Sequence, residues 1–291
     1  MSRRRAVRGF TRGKIAHRRG GSLKILEPPM SRVEPRIFVE MKEPKRLHPS
    51  EGQRRMVSFD PAAYGAWFES ALGRRVWADE ERVILDLLGE IGGSRVLDAG
   101  CGDGRLAAKL ASGGARVVAV DVGLDMLRAA RKRHGADYAN LSLVQADIER
   151  LPLASEMVDL VVTVTTLCFV ANPKAVAREL ARVLRPGGYL VVGELGRWSL
   201  WAVRRRLRAL VGGGPWAAAR FWTRATLFGL LRDAGLAPLA ARGAIFYPRS
   251  ALLARTLGPL DRTLGKGTTI GAAFVAVAAE KPRTSPPPEH A

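Results

Sequence analysis

Between residues 95 and 195 the chain repeats one rhythm, a short apolar run followed by an amphipathic stretch. "RVLDAG", "ARVVAVD", "LSLVQAD", "MVDLVVTVTT" and "YLVVGEL" are runs of four to eight mostly β-branched or apolar positions, and they predict buried strands. Between them, "GRLAAKLASGG", "GLDMLRAARKRHG" and "NPKAVARELARVLRPGG" place apolar residues at helical spacing and close on glycine or basic residues. Strands and helices alternating at this spacing predict βαβ units, right-handed crossovers and a mostly parallel sheet.

The flanks differ from this core. Ahead of it, "DPAAYGAWFES" predicts a helix with Asp60 as N-cap and Pro61 at the first position, and "WADEERVILDLLGEIGG" predicts a second helix ending at Gly92–Gly93. Behind it, residues 196–222 break the alternation with an arginine- and aromatic-rich insertion. "TRATLFGLLRDAG" predicts a capped helix starting at Thr223 or Thr226, and "TTIGAAFVAVAAEK" a last strand.

Charge changes the picture at the N-terminus. The 291 residues carry a net +20, and residues 1–55 hold 16 Lys/Arg against 5 Asp/Glu with little apolar periodicity. They read as a basic extension, either disordered or ahead of a true start at Met56, with a nucleic-acid-binding arm as the alternative. The expected domain runs from 56 to 282 with a lid at 196–222, followed by a disordered tail at 283–291. Two cysteines give no disulfide framework and fit a reducing cytoplasm. No apolar run reaches the length of a membrane span. "SLWAVRRRLRALV" does have the pattern of a basic amphipathic helix able to lie on a membrane surface.

The candidate chemistry centres on "VLDAGCGDG", residues 96–104. Gly100, Gly102 and Gly104 follow the first strand and lead into a helix, where glycines permit a tight turn and close backbone approach to a ligand. A dinucleotide fingerprint spaces its glycines differently, and here Arg105 occupies the sixth position and Asp98 charges the strand. Asp121 ends the second strand, where an acid accepts both ribose hydroxyls. Asp147 ends the third, where an acid accepts an adenine amino group. A ribose, an adenine and no demand for phosphate together describe S-adenosylmethionine (SAM).

"VLDAGCGDG", "VVAVDVG", "ADIERLP", "VDLVV" and "ELARVLRPGG", in this order over roughly residues 80–195, resemble the class I SAM-dependent methyltransferases, nearest the ubiquinone/menaquinone C-methyltransferase branch. The resemblance implies a Rossmann-like α/β fold whose seven-stranded sheet runs 3-2-1-4-5-7-6, with strand seven antiparallel, helices on both faces and a helical lid. It implies that Asp98, Gly100, Cys101, Gly102 and Gly104 take the methionine end of SAM and Asp121 with Val122 the ribose. Met126, Asp147 and Ile148 then bind or flank the adenine, and Thr163 touches the cofactor. Tyr64 and Trp67 resemble an N-terminal lid, with plain helix packing as the other reading.

Methyl transfer needs alignment and water exclusion more than a catalytic dyad. Glu194, Tyr64 and Thr165 are the candidate catalytic groups, and Arg197, Trp201, Trp216, Arg220, Trp222 and Tyr247 the candidate acceptor contacts. The D/N-P-P-Y/F motif of adenine amino-methyltransferases is missing, and Cys168 follows Leu167 where RNA cytosine methyltransferases have a proline. Cys101 and Cys168 therefore read as loop filler and a small buried residue. No metal site is expected. The leading expectation is methyl transfer to a small-molecule, hydrophobic or quinone-like acceptor. RNA methylation through the basic arm, or SAM binding without turnover, are the alternatives.

Overall fold

The computed structural model describes residues 60–134, 138–212 and 219–283. The basic extension, Trp216 and the tail beyond Arg283 lie outside them. Two helices lead in, α1 (Pro61–Glu69) and α2 (Ala71–Leu88). Asp60 caps α1 as expected, accepting the N–H groups of Ala62 and Ala63 at 3.0 and 3.2 Å. Then come β1 (Arg95–Ala99), α3 (Arg105–Ser112), β2 (Arg116–Asp121), α4 (Leu124–His134), β3 (Leu141–Gln145), β4 (Val158–Val164), α5 (Pro173–Val183) and β5 (Leu184–Leu195). The C-terminal part holds α6 (Leu200–Gly212), α7 (Arg224–Asp233), β6 (Ala237–Ala244), α8 (Ala251–Gly267) and β7 (Phe274–Glu280).

The seven strands form one sheet in the order β3-β2-β1-β4-β5-β7-β6. β1 to β5 are parallel, and β7 runs antiparallel to both β5 and β6. Each face is covered by apolar side chains. Leu97, Val161 and Val192 face α5 and α7, while Val96, Val162 and Val191 face α2 and α3. Burying both faces explains why the central strands read as unbroken apolar runs.

Three elements differ from expectation. α5 stops at Val183 instead of running through Arg185, because Pro186 disfavours helical backbone before it. Leu184 is already extended and pairs with Val158, so β5 starts five residues early and absorbs an irregularity before Tyr189. α2 starts at Ala71, with the Ser70 hydroxyl accepting the Gly73 N–H, and ends at Leu88, ahead of the paired glycines. α8 was not anticipated, and β6, implied by the seven-stranded resemblance, was not located in the sequence. At the other end of the domain, the Arg283 guanidinium lies where a side chain on Gly187 would sit, so ordered packing extends one residue into the expected tail.

The insertion leaves and rejoins the sheet at one place. Gly196 and Trp222 form a parallel bridge, Arg197 N–H donates to Trp222 O at 2.8 Å, and Trp222 N–H donates to Leu195 O at 2.8 Å. α7 then starts on Thr223 with a reciprocal cap between Thr223 and Thr226, which settles the two expected starts.

Candidate active site

In a parallel sheet the strand carboxyl ends and the helix N-termini after them meet at one edge. The turn after β1 reaches that edge. Gly100 and Cys101 N–H groups donate to Val120 O at 2.7 and 2.9 Å, which folds the loop over the end of β2. Gly100, Gly102 and Gly104 all take positive φ, at 80, 54 and 75°. A Cβ on Gly100 would meet Thr166 Oγ1 at 2.3 Å, and one on Gly104 would meet Ala130 Cβ at 3.0 Å. A Cβ on Gly102 would sit 3.4 Å from Met126 Cε and 3.6 Å from the Tyr64 hydroxyl. The alternating glycines therefore serve two ends. The outer pair lets the loop be clamped, and Gly102 keeps a bare surface facing Met126 and Tyr64.

Asp121 holds this loop. Its Oδ2 accepts the Gly102 N–H and its Oδ1 the Gly123 N–H, each at 2.8 Å. Every carboxylate oxygen offers two lone pairs, so each retains capacity for a hydroxyl. Burial pushes the carboxyl upward, opposed by the backbone N–H groups of Gly123, Gly102 and Val122. Val122 follows Asp121, and its carbonyl is tied to Gln145 Nε2 at 3.0 Å, joining the ends of β2 and β3.

Asp98 is buried on the same sheet face as α3, and its Oδ2 has no hydrogen-bond partner. Burial and the neighbouring Asp121 push its carboxyl up to about 7, with the Ala107 N–H at the start of α3 drawing it back. An unsatisfied buried carboxyl is costly unless a donor arrives. The amino group of a methionine moiety is such a donor. An orphaned acid, a bare-glycine surface and an acid with spare lone pairs fit the adenosyl cofactor that the motifs imply. Met126 and Ile148 are buried, and Asp147 Oδ1 accepts the Glu149 N–H at 2.9 Å, which orders the turn after β3.

Two expected contacts lie apart from this group. Thr163 is fully buried, and by strand alternation its side chain is on the face of Val161, opposite Asp98, with its hydroxyl unpartnered. Glu194 is fully buried too. Its Oε1 accepts the N–H groups of Thr166 and Leu167 at 3.0 and 2.6 Å, and burial pushes its carboxyl up to about 7. It brackets the exit of β4, where Thr165 adopts the left-handed region at φ 48° and donates its N–H to Gly193 O at 2.7 Å. The Cys168 thiol donates to Thr165 O at 3.3 Å. Burial raises both the Cys101 and the Cys168 thiols well above the ordinary range, so neither is a ready nucleophile.

A cap of aromatics and arginines is built from α1, α6 and the turn before α8. The Trp67 and Trp201 rings meet edge-on at 6.4 Å, and the Arg249 guanidinium lies 5.2 Å from Trp67 and 5.9 Å from Trp201. Arg205 stacks on Trp201 at 5.6 Å. The Trp201 indole donates to Tyr247 O at 2.8 Å, and the Tyr247 hydroxyl donates to Asp79 at 3.0 Å. Tyr247 is thus a frame of the cap, its hydroxyl spent on α2. Arg220 stacks on Trp222 at 5.6 Å, and Trp222 is buried under α7 with its indole N–H unpartnered. Arg197 is exposed and lies over the Trp198 ring. Asp103 locks the lead-in to the loop, accepting Arg105 at 2.9 Å and Arg133 at 3.3 Å, while Arg105 covers the Phe68 ring at 4.8 Å.

Sequence reasoning missed Asp103, Glu80, Arg205 and Arg249, whereas Thr166, one of three threonines at the end of β4 that it raised as cofactor or substrate contacts, packs on Gly100. Desolvation lifts the Glu80 carboxyl to about 8, with Arg205 drawing it back. The same carboxyl, with Asp103 and Asp121, adds to burial in raising the Tyr64 hydroxyl far above its usual range. Only the "DG" after the second glycine marked Asp103, and nothing local marked the rest. Among the described residues no group of His, Cys, Asp and Glu is placed to hold a metal.

Comparison with known proteins bears on the family and the fold. Residues 97–192 match the model of a family described as a methyltransferase domain. An uncharacterised protein of Mycobacterium tuberculosis strain H37Rv is 36% identical over 232 residues, covering 79% of this chain and 75% of that protein. The malonyl-[acyl-carrier protein] O-methyltransferase of Enterobacter lignolyticus is 40% identical over 117 residues, 40% of this chain and 45% of the relative. A SAM-dependent methyltransferase of Thermotoga maritima superposes with a TM-score of 0.60 at 28% identity, over 76% of this chain and 95% of that one.

Proposed function

Because the chain belongs to the class I SAM-dependent methyltransferases, we infer that it transfers a methyl group to a small, largely apolar acceptor, with a quinone-like ring as the best match to its aromatic cap. The observation that carries this reading is the unpartnered Oδ2 of buried Asp98 near the end of β1, which leads into the glycine loop. It supports a cofactor seat on the strand edge, under the cap of Trp67, Trp201 and Arg249. Residues 56–282 form the catalytic domain in this reading.

Bound SAM supplies a methyl carbon on a positively charged sulfur, already activated for in-line displacement. Asp98 answers the cationic amino group, and Gly100 to Gly104 permit close approach. Asp121 orients the ribose hydroxyls with the lone pairs its backbone bonds leave over. Met126, Ile148 and Asp147 would line the adenine. Trp67 and Trp201 exclude water and present flat apolar surface to the acceptor. Tyr64 keeps its proton at neutral pH and acts as a hydrogen-bond donor at the mouth of the loop. Glu194 and Thr165 shape the β4 exit and act as positioning residues.

Two unpaired cysteines fit a reducing compartment, and the cytoplasm is the site this reading takes. No helix among the described residues is long and apolar enough to cross a membrane. The test is methyl-labelled SAM with a lysate divided into small-metabolite, lipid, RNA and protein pools. Label in the metabolite or lipid pool supports the reading. Label in RNA, or on an acyl-carrier protein as the name of the Enterobacter relative suggests, overturns it.

A further inference from the structure

α6 has two apolar sides. Trp201 and Ala202 face inward, while Leu200, Val203, Leu207 and Leu210 are 50–84% exposed. At about 100° per residue, these four fall within an arc of about 80°, nearly opposite Trp201 and Ala202. Arg204 and Arg208 lie along one border of the outer stripe and Arg206 along the other, all exposed. A helix that merely covers a core has one apolar stripe and a polar back. Here the back is leucine and its edges are arginine. Trp198, 61% exposed just ahead of α6, carries the Arg197 guanidinium 5.3 Å from its ring.

α8 adds a second exposed leucine stripe, with its cations across the helix from it. It seats on the sheet through a narrow seam of Ala254, Gly258, Asp261 and Gly265, and leaves Leu253, Leu257, Leu260 and Leu264 exposed along one flank. Arg255, Arg262 and Lys266 occupy the other flank, also exposed. Arg249, in the turn just ahead of α8, lies 5.9 Å from Trp201 of α6 and feels the charges of Arg204 and Arg208. α6 has no acidic residue, and the one acid of α8, Asp261, is spent on the Ile245 and Phe246 N–H groups at 3.0 and 2.7 Å.

We propose that α6 and α8 together form a docking face for an anionic lipid bilayer, with the leucines entering the acyl boundary and the arginines meeting the phosphates. An exposed apolar stripe bordered by cations, as on α6, is the pattern of an interfacial helix. A second copy of the chain does not fit the charge, since its matching face brings equal arginines. A nucleic acid fits the arginines and leaves the leucines unused. Neither helix surface depends on which acceptor is methylated.

The test is flotation of the full chain with phosphatidylcholine vesicles, with and without phosphatidylglycerol, compared with the double variant Leu207→Glu, Leu210→Glu. Both positions are exposed, so the melting temperature and the calorimetric affinity for SAM should not change; a parallel pair, Leu257→Glu and Leu260→Glu, guards against a local fault in α6. The expected result is binding that needs phosphatidylglycerol and falls about tenfold or more in the leucine variants. Equal binding of variant and parent overturns the proposal and assigns any affinity to charge alone, including the basic N-terminal extension. So does the absence of binding, or a dimer that the leucine variants dissolve. Because SAM binding is read separately, loss of vesicle binding with SAM affinity intact removes the surface and leaves the methyltransferase site standing.

Discussion

The Oδ2 of Asp121 accepts the backbone N–H of Gly102 at 2.8 Å, across 19 residues of chain. The acid assigned to the ribose is therefore also the peg of the glycine loop. Its other oxygen pegs Gly123, so one carboxylate sets the relative position of the turns after β1 and β2.

Asp121→Ala should accordingly cost more than two ribose hydrogen bonds. Calorimetry should show SAM affinity reduced by about a hundredfold or more, as charge-assisted bonds contribute about 1.5–3 kcal/mol each. Asp121→Asn keeps one acceptor and should fall between. Unchanged affinity in the alanine variant would remove Asp121 from the site.

Asp98 predicts a pH dependence. With its carboxyl held up to about 7, it is mostly neutral below that pH and charged above it. Only the charged form attracts an ammonium group. SAM affinity should weaken as pH falls through 7, by up to about tenfold per unit, and Asp98→Asn should bind weakly with a flat profile. A parental profile without slope between pH 6 and about 8 would contradict the assignment.

Gly100→Ala places a methyl group 2.3 Å from Thr166 Oγ1 at a residue with φ 80°. Both the clash and the left-handed backbone oppose it, so the loop must shift. Loss of SAM binding by at least about tenfold is expected, with fold retained by circular dichroism. Adding Thr166→Ala should restore part of the binding, because it removes the colliding group. No rescue by the second change would leave backbone strain as the whole cause.

Glu194→Ala strips two buried N–H groups of their acceptor. Each unsatisfied donor costs about 1–3 kcal/mol, so urea unfolding should show a loss of about 2–5 kcal/mol. Glu194→Gln, which keeps one acceptor oxygen, should lose less. The pH sign is also defined. In the folded chain Glu194 is pushed up to about 7, whereas the unfolded chain releases this proton near pH 4, at about 4.3. The native state binds more protons between those values, so its contribution makes stability fall as pH rises from about 4 to 7 and level off above. Glu194→Gln should flatten that slope.

The parallel half of the sheet was legible because both of its faces are buried, which writes each strand as an apolar run. Asp121 and the three glycines were legible because backbone demands restrict residue type at those positions. β6 was not. It lies at the sheet edge with alternating partial burial in "APLAARGA", so neither apolarity nor a clean period of two marks it. α8 hid for a related reason: its seam is built of Ala, Gly and Asp, and its leucines point outward, so hydrophobic period and buried face do not coincide. Tyr247 reads as an acceptor contact from its aromatic neighbourhood, and only the fold reveals that Asp79, 168 residues away, takes its hydroxyl. Arg205 joins the cap through tertiary approach alone.

The bridge between Gly196 and Trp222 brings both feet of the insertion to a single point beside β5. Closing a loop whose ends already touch costs little more as it lengthens, since the entropy grows only with the logarithm of its size. The segment between the feet is in that sense a cassette. Apart from buried Trp201 and Ala202, which tie α6 to the sheet, its length can change while the sheet register and the cofactor edge stay unchanged.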